Sequence, residues 1–262
     1  MTPRPASPQP GPSTQPAGST AARAAGEAHA KGAPRRTPVR LDGVHHAYGE
    51  REVLRGIDLV LDEPRVGIVG ANGSGKSTLA RMLNGLVVPT AGRVLVGDLD
   101  TARDGAAVRR RVGFVFPDPE AQIVMPTVRE DVEFSLRRRR LPADEQRALV
   151  DAVLDRFSLA DHADHPAYQL SSGQKQLLAI ASILVTDPDV LVCDEPTTLL
   201  DLRHSRHVSA LLSTLDQQVV LVTHHLDLLA GWERVICIDE GVVAADGPAD
   251  EVVPFYRRLM GA

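Results

Sequence analysis

Val66-Gly-Ile-Val-Gly70-Ala-Asn-Gly-Ser-Gly-Lys76-Ser77-Thr-Leu-Ala-Arg-Met-Leu83 decides the fold of this chain. It opens on a short apolar run, passes through a glycine-rich turn of the form G-x-x-x-x-G-K-S, and closes on an amphipathic run with Leu79, Met82 and Leu83. That order predicts a buried strand, a tight loop and a helix. Glycines let consecutive backbone N–H groups curl around phosphate oxygens without side-chain obstruction. The helix start behind them adds the positive end of its dipole. Gly70, Ala71, Asn72, Gly73, Ser74, Gly75, Lys76, Ser77 and Thr78 are therefore the candidate phosphate-binding residues. Lys76 is placed to reach β- and γ-phosphates, and Ser77 to ligate a Mg²⁺ ion. The plainer reading is a glycine-rich turn that only starts a helix.

The 262 residues are 43% hydrophobic and 24% charged, an ordinary globular balance. Either side of the quoted stretch, strand-like and helix-like runs alternate. VRLDGV and EVLRGIDLVL read as half-buried antiparallel strands. GRVLVG, RVGFVF, DVLVCDE, QQVVLVTHH and RVICIDEG read as further strands, several apolar on both faces. Such strands separated by helices imply an α/β fold with a mainly parallel core sheet, beside an antiparallel β subdomain. Residues 117–187 have no strand pattern and read as an inserted α-helical subdomain. Thr127-Val-Arg-Glu130 is a capping box opening a helix toward Arg140, Asp144 starts another, and Ser171 or Ser172 a third.

Residues 1–38 hold eight of the nineteen prolines and no apolar periodicity, so they are expected to be a disordered tail before a domain spanning 39–262. No run approaches the ~18 apolar residues of a membrane-spanning helix. Cys193 and Cys237, each in an apolar run, read as buried free thiols. A net charge of −5 argues against a nucleic-acid partner. His45, His46, His162, His165, His204 and His207 show no ligand spacing and read as surface residues, as does the Arg137–Arg140 run.

Val190-Leu-Val-Cys-Asp194-Glu195 is an apolar strand that ends in two carboxylates. Asp194 lies where it can hold Mg²⁺, and Glu195 where it can orient a water against a γ-phosphate. Leu170-Ser-Ser-Gly-Gln174 opens an almost wholly apolar helix, LLAIASILV. Read plainly, Ser171 to Gln174 is a capping box.

Ser171, Ser172, Gly173 and Gln174, between the glycine loop and the acidic strand, also resemble the LSGGQ signature of ABC ATPases. The resemblance covers Val39 to about Gly247. It implies a head-to-tail dimer, homomeric or with a sister ATPase, that sandwiches ATP between the loop of one subunit and the signature of the other. It also implies that Tyr48 stacks on adenine, that Asp201 is the aspartate crossing the interface, and that His224 contacts γ-phosphate. Two positions depart from the pattern. Ser172 replaces a glycine, and Pro117 stands where a glutamine usually ends the strand; Gln122 is the possible substitute.

DPEAQIVMPTVREDVEF, from Asp118 to Phe134, is similar to the energy-coupling factor (ECF) ATPases, most of all to those of biotin importers. This implies an ATP-hydrolysing subunit with ATP and Mg²⁺ as cofactors at the cytoplasmic face of a membrane. Its partners would be a transmembrane scaffold docking at 117–134 and a separate substrate-binding membrane protein. Cobalt, nickel or another vitamin remain open as substrates. So does a soluble ABC-type ATPase without a membrane partner.

Overall fold

Ten strands and seven α-helices are present in the computed structural model, which describes residues 37–261. The proposed tail lies outside the described residues except for Thr37 and Pro38. Thr37 is buried and the Pro38 carbonyl accepts from Gly97 N–H, so these two belong to the folded body.

A four-stranded antiparallel sheet has the order β2-β1-β4-β5, built from β1 (Val39–Tyr48), β2 (Arg51–Leu61), β4 (Ala91–Val96) and β5 (Leu99–Asp100). The second sheet has six strands in the order β10-β9-β3-β8-β7-β6. These are β3 (Arg65–Val69), β6 (Val112–Val115), β7 (Val190–Asp194), β8 (Gln218–Val222), β9 (Arg234–Asp239) and β10 (Val242–Gly247). All neighbours in it are parallel except β10, which runs antiparallel along β9 at the edge. The sequence gives no sign of β5 or β10. The former has two residues; the latter alternates exposed and half-buried positions and lacks an apolar run.

The sheet is covered on both faces, and strand periodicity divides its side chains. Val66, Ile68, Val190, Val192, Val220 and Val222 enter one core with β1, β2, β4 and α1 (Lys76–Leu83). Val69, Leu191, Cys193, Val219 and Leu221 enter the other. That second core packs α3 (Val128–Leu136), α4 (Ala143–Arg156), α5 (Ser172–Leu184), α6 (Leu202–Ser213) and α7 (Ala249–Leu259). α2 (Gly105–Arg111) leads into β6. Between β6 and β7 the chain is helical with no strand, apart from one bridge between Thr127 and Pro166. Both capping boxes form, with Thr127 capping α3 and Ser171, not Ser172, capping α5. Both cysteines are buried and free.

One histidine departs from its surface assignment. His46 is buried, because register shifts in β1 on both sides of it turn its ring inward, edge-on to Tyr48 at 4.6 Å between centroids.

Candidate functional site

The loop after β3 forces its own glycines. Gly70 has φ +151°, and a Cβ there would fall 2.0 Å from the Ile238 carbonyl oxygen. Gly75, at φ +107°, would place a Cβ 2.7 Å from Leu54 Cδ2 and 2.9 Å from the Val53 carbonyl oxygen. Backbone on two sides leaves no room to yield, so only glycine lets the loop enter α1 here.

Lys76 is buried beneath the loop and donates from Nζ to the carbonyls of Gly70 and Ala71, each at 2.8 Å. Burial lowers its pKa, opposed by the charges of Glu195 and Asp194. Ser77 Oγ donates to Asp194 Oδ1 at 2.9 Å. Asp194 is fully buried at the end of β7, and its Oδ2 has no hydrogen-bond partner. Arg81 Nη2 lies 3.9 Å from that oxygen. Burial raises the Asp194 pKa, with Glu195 adding to it and Ser77 and Arg81 opposing it.

Glu195 holds a left-handed backbone, φ +51°, rare for a non-glycine residue. Its N–H donates to the Val222 carbonyl at 2.9 Å, which stitches the turn after β7 to the end of β8. That placement brings its carboxylate to His224, two residues beyond β8, where Nδ1 lies 2.7 Å from Oε2. A carboxylate only accepts, so Nδ1 carries the proton. The other oxygen, Oε1, has no bond in this pair.

Two cavities adjoin these residues and share Asn72 and Glu195. One, about 350 Å³, is lined by Tyr48, Arg51, Gly73, Lys76, Ser77 and Thr78 among others. The other, about 550 Å³, is lined by Ala71, Pro117, Thr198, His224, Tyr256 and Met260 among others. Tyr48 is half exposed at the first of them. Arg51, Thr198, Tyr256 and Met260 were not singled out in the sequence. The last two come from α7 and its end, far along the chain and without any motif.

Ser171, Ser172, Gly173 and Gln174 line neither cavity. They form the start of α5, where Gln174 N–H donates to Ser171 Oγ at 3.3 Å and Ser171 N–H to Gln174 Oε1 at 2.9 Å. Gln174 Nε2 also reaches His162 Nε2 at 2.9 Å. Asp201 caps α6 and is exposed; the His204 N–H that it accepts is the main cause of its lowered pKa. Both polar atoms of Gln122 are engaged inside the fold. Oε1 accepts from Phe116 N–H at 3.2 Å, and Nε2 donates to the Ala179 carbonyl at 3.1 Å.

Residues 55–198, which hold the glycine loop, the signature and the two carboxylates, match the model of the ABC transporter family. The chain belongs to that family. Among relatives of this ABC transporter ATPase is the biotin transport ATP-binding protein BioM of Rhizobium etli. It is 42% identical over 221 residues, covering 84% of this chain and 98% of BioM. Among solved structures, cbiO1 from Clostridium perfringens, part of the ABC transporter complex cbiONQ, superposes with a TM-score of 0.76. Its identity is 31%, covering 86% of this chain and 94% of cbiO1. The ATP-binding cassette MJ0796, a dimer in a post-hydrolysis state bound to ADP and Pi, gives a TM-score of 0.71. Identity there is 31%, over 80% of this chain and 98% of that one. This ABC transporter ATPase thus carries the cassette of an ATP-hydrolysing transport subunit. None of its described helices is long and apolar enough to cross a membrane.

Proposed function

We propose that this ATPase energises an ECF-type importer, with biotin as the transported substrate, from the cytoplasmic face of the membrane. The observation that carries the reading is a half-built site. The glycine loop, Lys76, Ser77, Glu195 and His224 line the two cavities, while the signature at α5 lines neither. A second copy, or a sister ATPase, placed head to tail supplies the missing serine-tipped helix start. The dimeric state of the MJ0796 relative supports this.

In that dimer, loop N–H groups and Lys76 bind the β- and γ-phosphates of ATP. Tyr48 covers the adenine. Asp201 reaches across to the other copy. The site also fits Mg²⁺: Ser77 and Asp194 would hold it, and the unpartnered, buried Oδ2 of Asp194 is the oxygen such an ion satisfies. Bound there, the ion would neutralise phosphate charge. Glu195 orients the attacking water through Oε1, while His224 fixes Oε2. Loss of the γ-phosphate removes what the two copies share, and the dimer opens.

The scaffold subunit docks where residues 117–134 meet α5. A groove of about 410 Å³ there is lined by Glu120, Ile123, Val124, Met125, Tyr168 and Lys175 among others, with Val124 and Tyr168 largely exposed. A paired Lys175 and Glu120 edge it. Biotin rests on likeness to BioM. Uptake of labelled biotin by cells carrying Glu195→Gln tests the reading, together with identification of membrane proteins that co-purify in detergent. Lost uptake with retained ATP binding is expected. Full uptake, or purification without membrane subunits, would contradict an importer, and loss of cobalt or nickel uptake instead would replace the substrate.

A further inference from the structure

His204 sits in the first turn of α6 and touches two segments at once. On one side Asp201 Oδ1 accepts from its backbone N–H at 2.8 Å and pairs with its Nδ1 at 2.8 Å. The carboxylate only accepts, so Nδ1 carries a proton whether the ring is neutral or charged, and the ring plane is fixed in both states. On the other side the ring lies on Gly173. A Cβ added to Gly173 would fall 2.4 Å from His204 Cδ2, 2.9 Å from Cγ and 3.1 Å from Nε2, and these are its three nearest neighbours. Side chains cannot approach that closely, so the histidine ring fills the space that a glycine leaves open at the second position of α5.

The ring therefore spans from Asp201 to the signature, segments about thirty residues apart in the chain, each of which stands outside its own subunit's phosphate cavities. His204 lines neither cavity. We infer that His204 is a positioning residue: it sets the distance between Gly173 and Asp201, so that both meet the second copy's nucleotide site together. The inference rests on the head-to-tail dimer proposed above.

The experiment uses the full chain carrying Glu195→Gln, in which ATP is bound without turnover. Dimer formation with Mg²⁺-ATP is followed by sedimentation, and monomer nucleotide affinity by a fluorescent ATP analogue at low protein concentration. The Glu195→Gln protein is expected to dimerise. Adding His204→Ala is expected to raise the dimer dissociation constant at least tenfold, while nucleotide affinity of the monomer changes less than twofold. His204→Asn keeps a donor for Asp201 but loses the ring, and His204→Phe keeps a ring on Gly173 but loses the bond. Each is expected to restore only part of the loss. Dimers of the His204→Ala protein as tight as the background would overturn the inference, as would equal losses in monomer nucleotide binding. A Glu195→Gln protein that stays monomeric with ATP overturns the head-to-tail reading, and the role of His204 with it.

Discussion

Replacing Asp194 with asparagine removes a buried negative charge that its protein neighbours do not fully satisfy. Oδ1 accepts from Ser77 Oγ, but Oδ2 is buried without a hydrogen bond, and Arg81 is 3.9 Å away. Leaving such an oxygen unpaired costs about 1–3 kcal/mol. The pKa of Asp194 is raised in the fold, chiefly by burial, above the ~3.9 of a free aspartate. Above the raised value the carboxylate is ionised in both states, and the whole cost is present. As pH falls through that value toward ~3.9, the folded protein takes up the proton first and the cost is relieved. Asparagine leaves a neutral amide in the same buried place, so it never carries the share of that cost that belongs to the charge. Asp194→Asn should therefore be the more stable protein near pH 8 without nucleotide, by roughly 2–12 °C at ~2–4 °C per kcal/mol for a domain of this size. The gap should narrow on acidification. Scanning calorimetry in EDTA from pH 8 down to about pH 4 measures it. The same variant should lose the extra stabilisation that Mg²⁺ adds to ATP. A variant that melts below the parent at pH 8, or a gap that widens in acid, would refute the argument.

Other substitutions test neighbouring parts. Lys76→Ala removes a charged donor to phosphate and should weaken ATP binding about 10–100-fold, from ~1.5–3 kcal/mol for such a bond; unchanged affinity in a calorimetric titration would remove Lys76 from the site. Gly75→Ala forces a Cβ against Val53 and Leu54 at φ +107° and should cost about 2–3 kcal/mol, seen as a lower urea midpoint at constant slope. Gln122→Ala strands Phe116 N–H and the Ala179 carbonyl and should lower stability by about 1–2 kcal/mol. A fall in turnover at full stability would instead show that Gln122 leaves those bonds to serve the nucleotide.

The parts of the site that were legible in the sequence are local ones. A glycine loop between an apolar strand and a helix announces itself because all its constraints lie within a few residues. The same holds for Asp194, where β7 turns polar on leaving the sheet. The Glu195–His224 pair depends on something else: parallel pairing of β7 with β8, in register from Val190 with Gln218 to Asp194 with Val222. No single segment states that register. The polar end of the strand pointed to Glu195 and the resemblance to ABC ATPases to His224, yet the bond between them needs the fold. His46 and His204 look alike in the sequence to any exposed histidine. A register shift buries the first, and a glycine thirty residues away receives the second. Tyr256 belongs to a short amphipathic helix whose pattern explains its burial, and only the return of α7 to the sheet end puts it in the cavity wall.

The polar groups of the site are mostly paired with one another. Lys76 spends two donors on the loop's own carbonyls, Ser77 donates to Asp194, and His224 donates to Glu195. ATP must break or share these bonds, so its binding exchanges partners and does not simply add them. This keeps net affinity well below the sum of the contacts, because each new bond replaces one already made. It also holds the loop and the two carboxylates near their working positions before ATP arrives, so less order has to be imposed on binding. Asp194 Oδ2 stands outside the exchange. Its satisfaction by a cation is a gain with no bond to break, so Mg²⁺ should contribute more to the stability of the bound state than the count of its two protein ligands suggests.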